Sequence, residues 1–122
     1  MADRKRILIA DDDPDLLDLL KMDLSFLGYD IHTATNGREA IEIATKNIFD
    51  LVLLDVMMPF VDGYHVSQVL SEKFPDRKIL LLTSRDYDKD KMAIQACGAD
   101  AHMSKPFDTN ELLRLVNDMV GR

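Results

Sequence analysis

Three short apolar runs and two brief segments that also contain polar residues alternate with longer stretches in which apolar and polar residues are mixed. Runs of four apolar residues are too short for helices and are typical of strands buried on both faces of a parallel sheet. The intervening stretches repeat apolar residues at the spacing of one helix face. This alternation predicts one α/β domain, residues 1–122, with parallel strands and right-handed crossovers. The predicted strands are Ile7–Ala10, Ile31–Ala34, Leu51–Leu54, Ile79–Leu82 and Ala101–Met103.

Capping residues mark the ends of the predicted helices. Asp13 precedes Pro14, and this order is favoured at the first turn of a helix. Asp108 and Glu111 have the spacing of a capping box at the start of the last helix. Gly28 and Gly98 are expected to end the first and fourth helices. The apolar positions that we assign to the five helices are Leu17, Leu20, Leu24 and Leu27, then Ala40, Ile41 and Ala44, then Val66, Val69 and Leu70, then Met92, Ala93 and Ala96, and finally Leu112, Leu113 or Leu115, Val116 and Val120.

Polar residues that could bind a ligand or take part in a reaction lie where four of the strands end. The carboxyl ends of parallel strands share one edge of a sheet, and ligands bind outside that edge in open α/β folds. We therefore expect these side chains to converge. They are Asp11 and Asp12 at the end of the first strand, Asp55 at the end of the third, Thr83 at the end of the fourth and Lys105 after the fifth.

Three neighbouring carboxylates would raise one another's pKa unless a cation lies between them. Oxygen ligands without histidine or cysteine suit a hard ion, Mg²⁺ or Mn²⁺. Lys105 and Thr83 would add a positive charge and a hydroxyl donor for phosphate oxygens. The simplest chemistry for this set is nucleophilic attack by Asp55 on phosphorus, which gives an aspartyl-phosphate.

Each of these residues also has a simpler interpretation. The acids before Pro14 could be helix caps, Asp55 a solvated strand end, Thr83 a strand-end residue and Lys105 a surface lysine. The simpler account must explain by coincidence why acids, hydroxyl and lysine all fall at one edge. The combination therefore favours a functional site.

Composition and charge narrow the class of protein. Of the 122 residues, 47% are hydrophobic and 30% charged, as in an ordinary globular domain. The net charge of −7 argues against direct binding to nucleic acid. Cys97 is the single cysteine, so no internal disulfide can form and a reducing cytoplasm is expected. No apolar run is long enough for a signal peptide or a membrane span.

Four motifs together resemble the receiver domain of bacterial two-component response regulators. They are ILIADDDPD, LVLLDVMMPFVDG, LLLTS and GADAHMSKPF, and they follow in the order and spacing of that family over essentially the whole chain. The resemblance implies a flavodoxin-like, doubly wound five-stranded parallel sheet of order 2-1-3-4-5, with helices on both faces.

The resemblance also implies the chemistry of the site. Asp55 would accept a phosphoryl group from a histidine kinase or a histidine phosphotransfer protein. Asp12 and Asp55 would ligate Mg²⁺ directly, together with the main-chain carbonyl of Met57. Asp11 would act mainly through water. The chain would then be a switch rather than an enzyme, limited to Mg²⁺-dependent self-phosphorylation from a donor and to autodephosphorylation at Asp55.

Further roles follow from the same resemblance. Lys105 would pair with the phosphoryl group and precede Pro106 through a cis peptide bond, while Thr83 would move toward the phosphate. The family couples that movement to an aromatic residue on the fifth strand, where this chain has His102. His102 is therefore either a switch residue or a partly buried strand residue with one hydrogen bond. The side chains of Met57 and Arg85 would border the phosphate and influence its lifetime.

The resemblance predicts an output through protein contacts. Phosphorylation would change the surface of the fourth helix, fifth strand and fifth helix for an unknown downstream protein, and a phosphorylation-dependent homodimer could use the same surface. The chain is expected to be a single-domain regulator or a piece of a larger protein. Phe60 and Val61 replace the Gly and Met common after the loop proline. Phe60 could anchor a kinase or pack over its own loop.

Two other functions fit parts of the pattern. A haloacid-dehalogenase-like phosphatase also uses an aspartate nucleophile and Mg²⁺, and its Asp-x-Asp signature could be Asp11 and Asp13. Such enzymes need a further acidic pair on a late strand end, where this chain has Lys105. A degenerate receiver that is never phosphorylated would lack part of the site, whereas this chain keeps the whole set.

Overall fold

Strands and helices alternate along the chain of the computed structural model, which describes residues 4–83 and 87–121. Within these residues no helix is both long and apolar enough to cross a membrane. The strands are β1 (Arg6–Ala10), β2 (Asp30–Ala34), β3 (Leu51–Asp55), β4 (Lys78–Thr83) and β5 (Ala101–Ser104). The helices are α1 (Pro14–Phe26), α2 (Gly37–Lys46), α3 (Gly63–Lys73), α4 (Tyr87–Ala96) and α5 (Thr109–Val120).

The strands form one parallel sheet in the order β2-β1-β3-β4-β5, which confirms the predicted topology. The strands are slightly longer than the predicted runs. Asp55 and Thr83 are the last residues of β3 and β4, as predicted. All strands point the same way, so β1, β3, β4 and β5 deliver their final residues to one edge.

Helices cover both faces of the sheet, as predicted. Alternate residues of the central strands point to opposite faces, and each face has its own apolar core. One core packs α1 and α5 on the sheet through Leu17, Leu20, Leu24, Leu112, Val116 and Val120. The other packs α2, α3 and α4 through Ala40, Ala44, Val66, Leu70 and Ile94.

The predicted helix starts are confirmed for α1 and α5. The Asp13 side chain accepts hydrogen bonds from the amides of Asp15 and Leu16, with Pro14 at the first helical position. The Asp108 side chain does the same for Asn110 and Glu111. Helix α1 ends at Phe26, so Leu27 is its C-cap, and its half-buried side chain packs against the same core as Leu17, Leu20 and Leu24, as predicted.

The predicted inward face of α4 is wrong. Met92 is 83% exposed and Ala96 is also exposed, whereas Ile94 and the following Cys97 are buried. Met92, Ala93 and Ala96 share one side of the helix, but Ile94 lies on the opposite side and is the residue that packs. With so few apolar residues, periodicity could not select the packed side.

Candidate functional site

The first acids of the site follow β1 directly. Asp11 is completely buried, and its Oδ1 accepts a hydrogen bond of 2.9 Å from the amide of Asp13. Asp12 is exposed. Because Asp13 caps α1, the tight turn at the start of that helix fixes the two preceding carboxylates at the sheet edge.

Asp55 ends β3 and is 4% exposed. Beyond it, the amide of Val56 donates to the carbonyl of Leu82 at 3.1 Å, and the amide of Gly63 donates back to the carbonyl of Val56 at 3.0 Å. A Cβ on Gly63 would lie 2.4 Å from the carbonyl oxygen of Asp55. The loop can therefore close over Asp55 only because residue 63 has no side chain.

Lys105 connects the carboxylates of β1 and β3. Its Nζ donates to Oδ2 of Asp11 at 2.8 Å and lies 3.4 Å from Oδ1 of Asp55. The peptide bond between Lys105 and Pro106 is cis, as predicted. The amide of Lys105 donates to the carbonyl of Thr83 at 2.5 Å, which ties the lysine to the end of β4.

Thr83 is 2% exposed and lies one residue beyond Leu82, the neighbour of Asp55 in the β3–β4 register. The convergence of Asp11, Asp12, Asp55 and Lys105 at this edge is therefore confirmed, with Thr83 beside them.

The acids of this cluster have the chemistry of a magnesium site. One carboxylate oxygen from each of Asp11, Asp12 and Asp55 can be chosen so that all three lie within 4.8 Å of one another. Three negative charges face one ammonium, so an additional cation would balance the cluster. The donors are all oxygens, which suits a hard divalent ion.

The electrostatics of the site agree with this charge excess. Burial, and then the neighbouring charge of Asp11, raises the pKa of the Asp55 carboxyl, although Lys105 and the amide of Met57 oppose the rise. Burial works against the charged form of Lys105, but its contacts with Asp11 and Asp55 outweigh burial and raise its pKa. The lysine is thus firmly charged, and a further cation near Asp55 would favour the charged form of its carboxyl group.

Three further residues have predicted roles in the site. Met57 has a half-exposed side chain, and its amide donates to the Asp55 carboxylate. The predicted use of its carbonyl as a ligand stays a prediction. His102 is half-buried in β5 opposite Leu81, and its role as a switch residue also stays a prediction. Arg85 lies outside the described residues.

Sequence reasoning missed one contact that shapes the site. A Cβ on Gly37 would lie 1.9 Å from the carbonyl oxygen of Val61, so the start of α2 lies directly against the β3–α3 loop. The neighbouring Arg38 stacks on the ring of Phe60, with its Cζ 5.1 Å from the ring centre. The departure of Phe60 from the family pattern was the only signal of this contact in the sequence.

Comparison with known proteins decides between a receiver domain and the phosphatase alternative. The response regulator receiver domain family matches residues 7–117. The chain belongs to this family. Receiver domains of response regulators act as phosphorylation-activated signalling switches rather than as conventional enzymes. Asp13, the second acid of the phosphatase signature, is instead the cap of α1.

Curated relatives agree with this assignment. The chain is 40% identical over 117 residues to the response regulator MprA of Mycolicibacterium vanbaalenii, covering 96% of this chain and 51% of that protein. It is 40% identical over 119 residues to the DNA-binding dual master transcriptional regulator RpaA of Synechocystis, covering 96% of this chain and 49% of that protein. The chain thus spans about half the length of these relatives.

Solved structures share the fold over nearly the whole chain. The response regulator protein TrrA of Thermotoga maritima, in complex with Mg²⁺–BeF, is 38% identical with a TM-score of 0.85, covering 94% of this chain and 98% of that chain. A CheY-like receiver domain protein of Methanospirillum hungatei is 28% identical with a TM-score of 0.93, covering 98% of this chain and 95% of that chain.

Proposed function

We propose that residues 1–122 act as a phosphoacceptor domain in which Asp55 receives a phosphoryl group from a phosphohistidine. The donor would be a histidine kinase or a histidine phosphotransfer protein, and the natural setting would be the cytoplasm. The observation that carries the proposal is the position of the Asp55 carboxylate, 3.4 Å from the Lys105 ammonium and beside the carboxylates of Asp11 and Asp12. This is an arrangement of nucleophile, cation and metal ligands around one point.

In the proposed reaction an Asp55 oxygen attacks phosphorus while the phosphorus–nitrogen bond to the donor imidazole breaks. The electron pair of that bond leaves with the imidazole nitrogen. The Lys105 ammonium would pair with the negative phosphoryl oxygens, and the Thr83 hydroxyl would donate a hydrogen bond to one of them. Attack by water on the aspartyl-phosphate would return Asp55 to a carboxylate and release inorganic phosphate.

Asp12, Asp55 and the main-chain carbonyl of Met57 would hold the metal ion, with Asp11 acting through water. When bound, Mg²⁺ would neutralise charge on the phosphoryl oxygens and on the crowded acids. The all-oxygen donor set of Asp11, Asp12 and Asp55 supports this assignment, as does the Mg²⁺–BeF complex of the TrrA protein. Mn²⁺ has the same ligand preferences and would serve as a substitute.

Phosphorylation would act on the rest of the molecule by charge. It changes the charge at residue 55 by about −1 and adds acceptor oxygens that Thr83 and Lys105 can follow. Lys105 is joined to the end of β4 through the Thr83 carbonyl, so a shift of either residue would reach β5, where His102 lies. The surface of α4, β5 and α5 would then change its affinity for a protein target or for a second copy of the chain.

Intact mass spectrometry after incubation with acetyl phosphate and Mg²⁺ tests this proposal. We expect one added phosphoryl group, lost on treatment with hydroxylamine and absent in Asp55→Asn. Asp50→Asn, at the opposite edge of the sheet, is the matched control and should still be modified. A phosphatase would instead hydrolyse a generic phosphate ester and would depend on Asp11 but not on Asp55. A scaffold would show neither reaction, and either result would overturn the proposal.

A further inference from the structure

The β3–α3 loop contains a strained turn centred on Phe60. The amide of Val61 donates to the carbonyl of Pro59 at 2.8 Å, which closes a three-residue turn, and the φ angle of Phe60 is +71°. A γ-turn with positive φ at its centre is the rare, strained form. Residues with a side chain avoid this region, so other contacts must hold Phe60 there.

Helix α2 supplies those contacts on two sides of the turn. Gly37 allows the helix to lie against the Val61 carbonyl, at a separation that leaves no room for a Cβ. Arg38 places its guanidinium over the Phe60 ring, 5.1 Å from the centre, although that ring is 74% exposed. The helix itself is anchored, because Asn36 caps it through the amide of Glu39 at 2.8 Å. A fixed element therefore contacts a strained one.

Only three residues, 56–58, lie between Asp55 and the turn. At the start of this loop the amide of Met57 donates to the Asp55 carboxylate. At its end, the amide of Gly63 closes back on the carbonyl of Val56 at 3.0 Å. The Val56 amide is held by Leu82 and its carbonyl by Gly63, so these two ends of the loop are fixed, and the Met57 peptide and the turn at Phe60 lie between them. Relaxation of the turn would move the Met57 peptide more readily than Val56 or Gly63.

We propose that Arg38 is a positioning residue, whose stacking on Phe60 keeps the γ-turn closed and so fixes the Met57 peptide beside Asp55 for metal binding. This inference rests on the proposed function for its consequence, since the metal is the one expected at Asp12 and Asp55. Arg38 does not touch the acids, and it acts through Phe60.

A positioning role of Arg38 and a purely electrostatic role predict opposite changes in Mg²⁺ affinity. Removal of a positive charge near an acidic site would strengthen Mg²⁺ binding if Arg38 acted only through its field. Loss of a positioning contact would weaken it. An exposed cation–π contact contributes about 0.5–1 kcal/mol, which corresponds to about a two- to fivefold change.

Hydrogen exchange of the Val61 amide and Mg²⁺ titration test the inference on the full chain. We expect Arg38→Ala to speed exchange of that amide and to weaken Mg²⁺ binding, each by about two- to fivefold. Arg38→Lys should give intermediate values. Arg114→Ala removes the same charge from an exposed position of α5 and should change neither measurement.

A double-mutant cycle with Phe60→Gly makes the test specific. Glycine adopts positive φ without strain and carries no ring, so Arg38→Ala should have no effect on either measurement in the Phe60→Gly background. Equal effects of Arg38→Ala in both backgrounds, or unchanged Val61 exchange, would overturn the inference. Faster exchange with unchanged Mg²⁺ affinity would overturn the link from the turn to the metal. Failure of the wild-type chain to bind Mg²⁺ would overturn the proposed function, and Val61 exchange would then still decide whether Arg38 holds the turn.

Discussion

The acidic residues at the two edges of the sheet differ in how far the protein itself neutralises their charge. At the amino-terminal edge, Asp50 accepts a hydrogen bond from the amide of Arg6 and Asp100 accepts one from the amide of Ile79, each at 2.8 Å. The Arg6 side chain also pairs with Asp30 at 3.3 Å. These acids are therefore satisfied by the fold itself.

At the carboxyl-terminal edge, Asp11 and Asp55 both pair with Lys105, and Asp12 lies beside them. Burial and the charge of Asp11 raise the pKa of Asp55, so this edge keeps a carboxylate under electrostatic strain. Acids at a strand end are thus not in themselves a sign of function. An acid indicates a functional site when the groups of the protein do not fully neutralise its charge, because a bound ligand can then do so.

Of the substitutions that compare the two edges, Lys105→Met should have the largest effect on stability. We expect a loss of about 3 kcal/mol in the free energy of unfolding, because Asp11 and Asp55 remain buried without their cation. Mg²⁺ should restore more stability to this variant than it adds to the wild-type chain. Chemical denaturation with and without Mg²⁺ measures both effects.

The control for that change is Arg77→Met at the opposite edge. Arg77 donates to the carbonyls of Ala44 and Asn47 at 2.6 and 2.7 Å, so its loss leaves neutral acceptors and should cost about 1–2 kcal/mol. Mg²⁺ should not compensate this loss. Equal Mg²⁺ responses in the two variants would contradict the proposed difference between the edges.

Mg²⁺ itself should stabilise the wild-type chain by about 2.7 kcal/mol at a concentration one hundred times its Kd. Asp12→Ala should abolish most of this gain while changing the metal-free stability by less than about 0.5 kcal/mol, because Asp12 is exposed. Asp13→Ala is the matched control. It should lose about 1 kcal/mol with the α1 cap and keep the Mg²⁺ response. Thermal melts of the wild-type chain and the two variants, with and without Mg²⁺, measure these gains. If all three proteins gain the same stability from Mg²⁺, Asp12 is not a metal ligand.

Asp55→Asn should stabilise the metal-free fold by about 1 kcal/mol, because it removes a buried charge that Asp11 repels. Asp50→Asn should instead lower stability slightly, by about 0.5 kcal/mol, because an amide oxygen is a weaker acceptor for the Arg6 amide. Urea denaturation in a chelator compares the two variants. Changes of the same sign at both edges would contradict our interpretation.

The smallest effects are those of pH. The first is that the difference in stability between Asp55→Asn and the wild-type chain should depend on pH. Asp55 has a raised pKa in the fold, so between its ordinary value of 3.8 and the raised value the native state binds the proton more tightly than the unfolded chain. Stability therefore falls as pH rises through this interval, and the advantage of Asp55→Asn should grow over the same interval. Denaturation curves in a chelator across the acidic range measure it, and a constant difference at every pH would rule it out.

Lys105 should give a second pH effect of the same sense, at alkaline rather than acidic pH. The stability it contributes is fully present below its ordinary pKa of 10.5 and is lost as pH rises through its raised pKa in the fold. The cost of Lys105→Met should therefore shrink in strongly alkaline solution.

Much of the site was predictable because strand ends are marked locally. The apolar run Leu51–Leu54 is followed by Asp55, and the acids after Ala10 are followed by Pro14, so position along the chain implied position at the edge. The packed side of α4 was not predictable in this way. Its apolar residues are few, and Ile94 and Cys97 face inward only because α3 and the sheet lie on that side, where the Cys97 carbonyl accepts from Ser67 at 2.9 Å.

The sequence by itself determined which residues form strands, where helices α1 and α5 begin and which acids reach the functional edge, because each depends on neighbours within a few positions. Only the tertiary structure decided that Lys105 contacts Asp11 across 94 positions and that α2 holds the turn at Phe60. Such contacts depend on how finished elements pack against one another, and a residue's own neighbours along the chain carry no record of that packing.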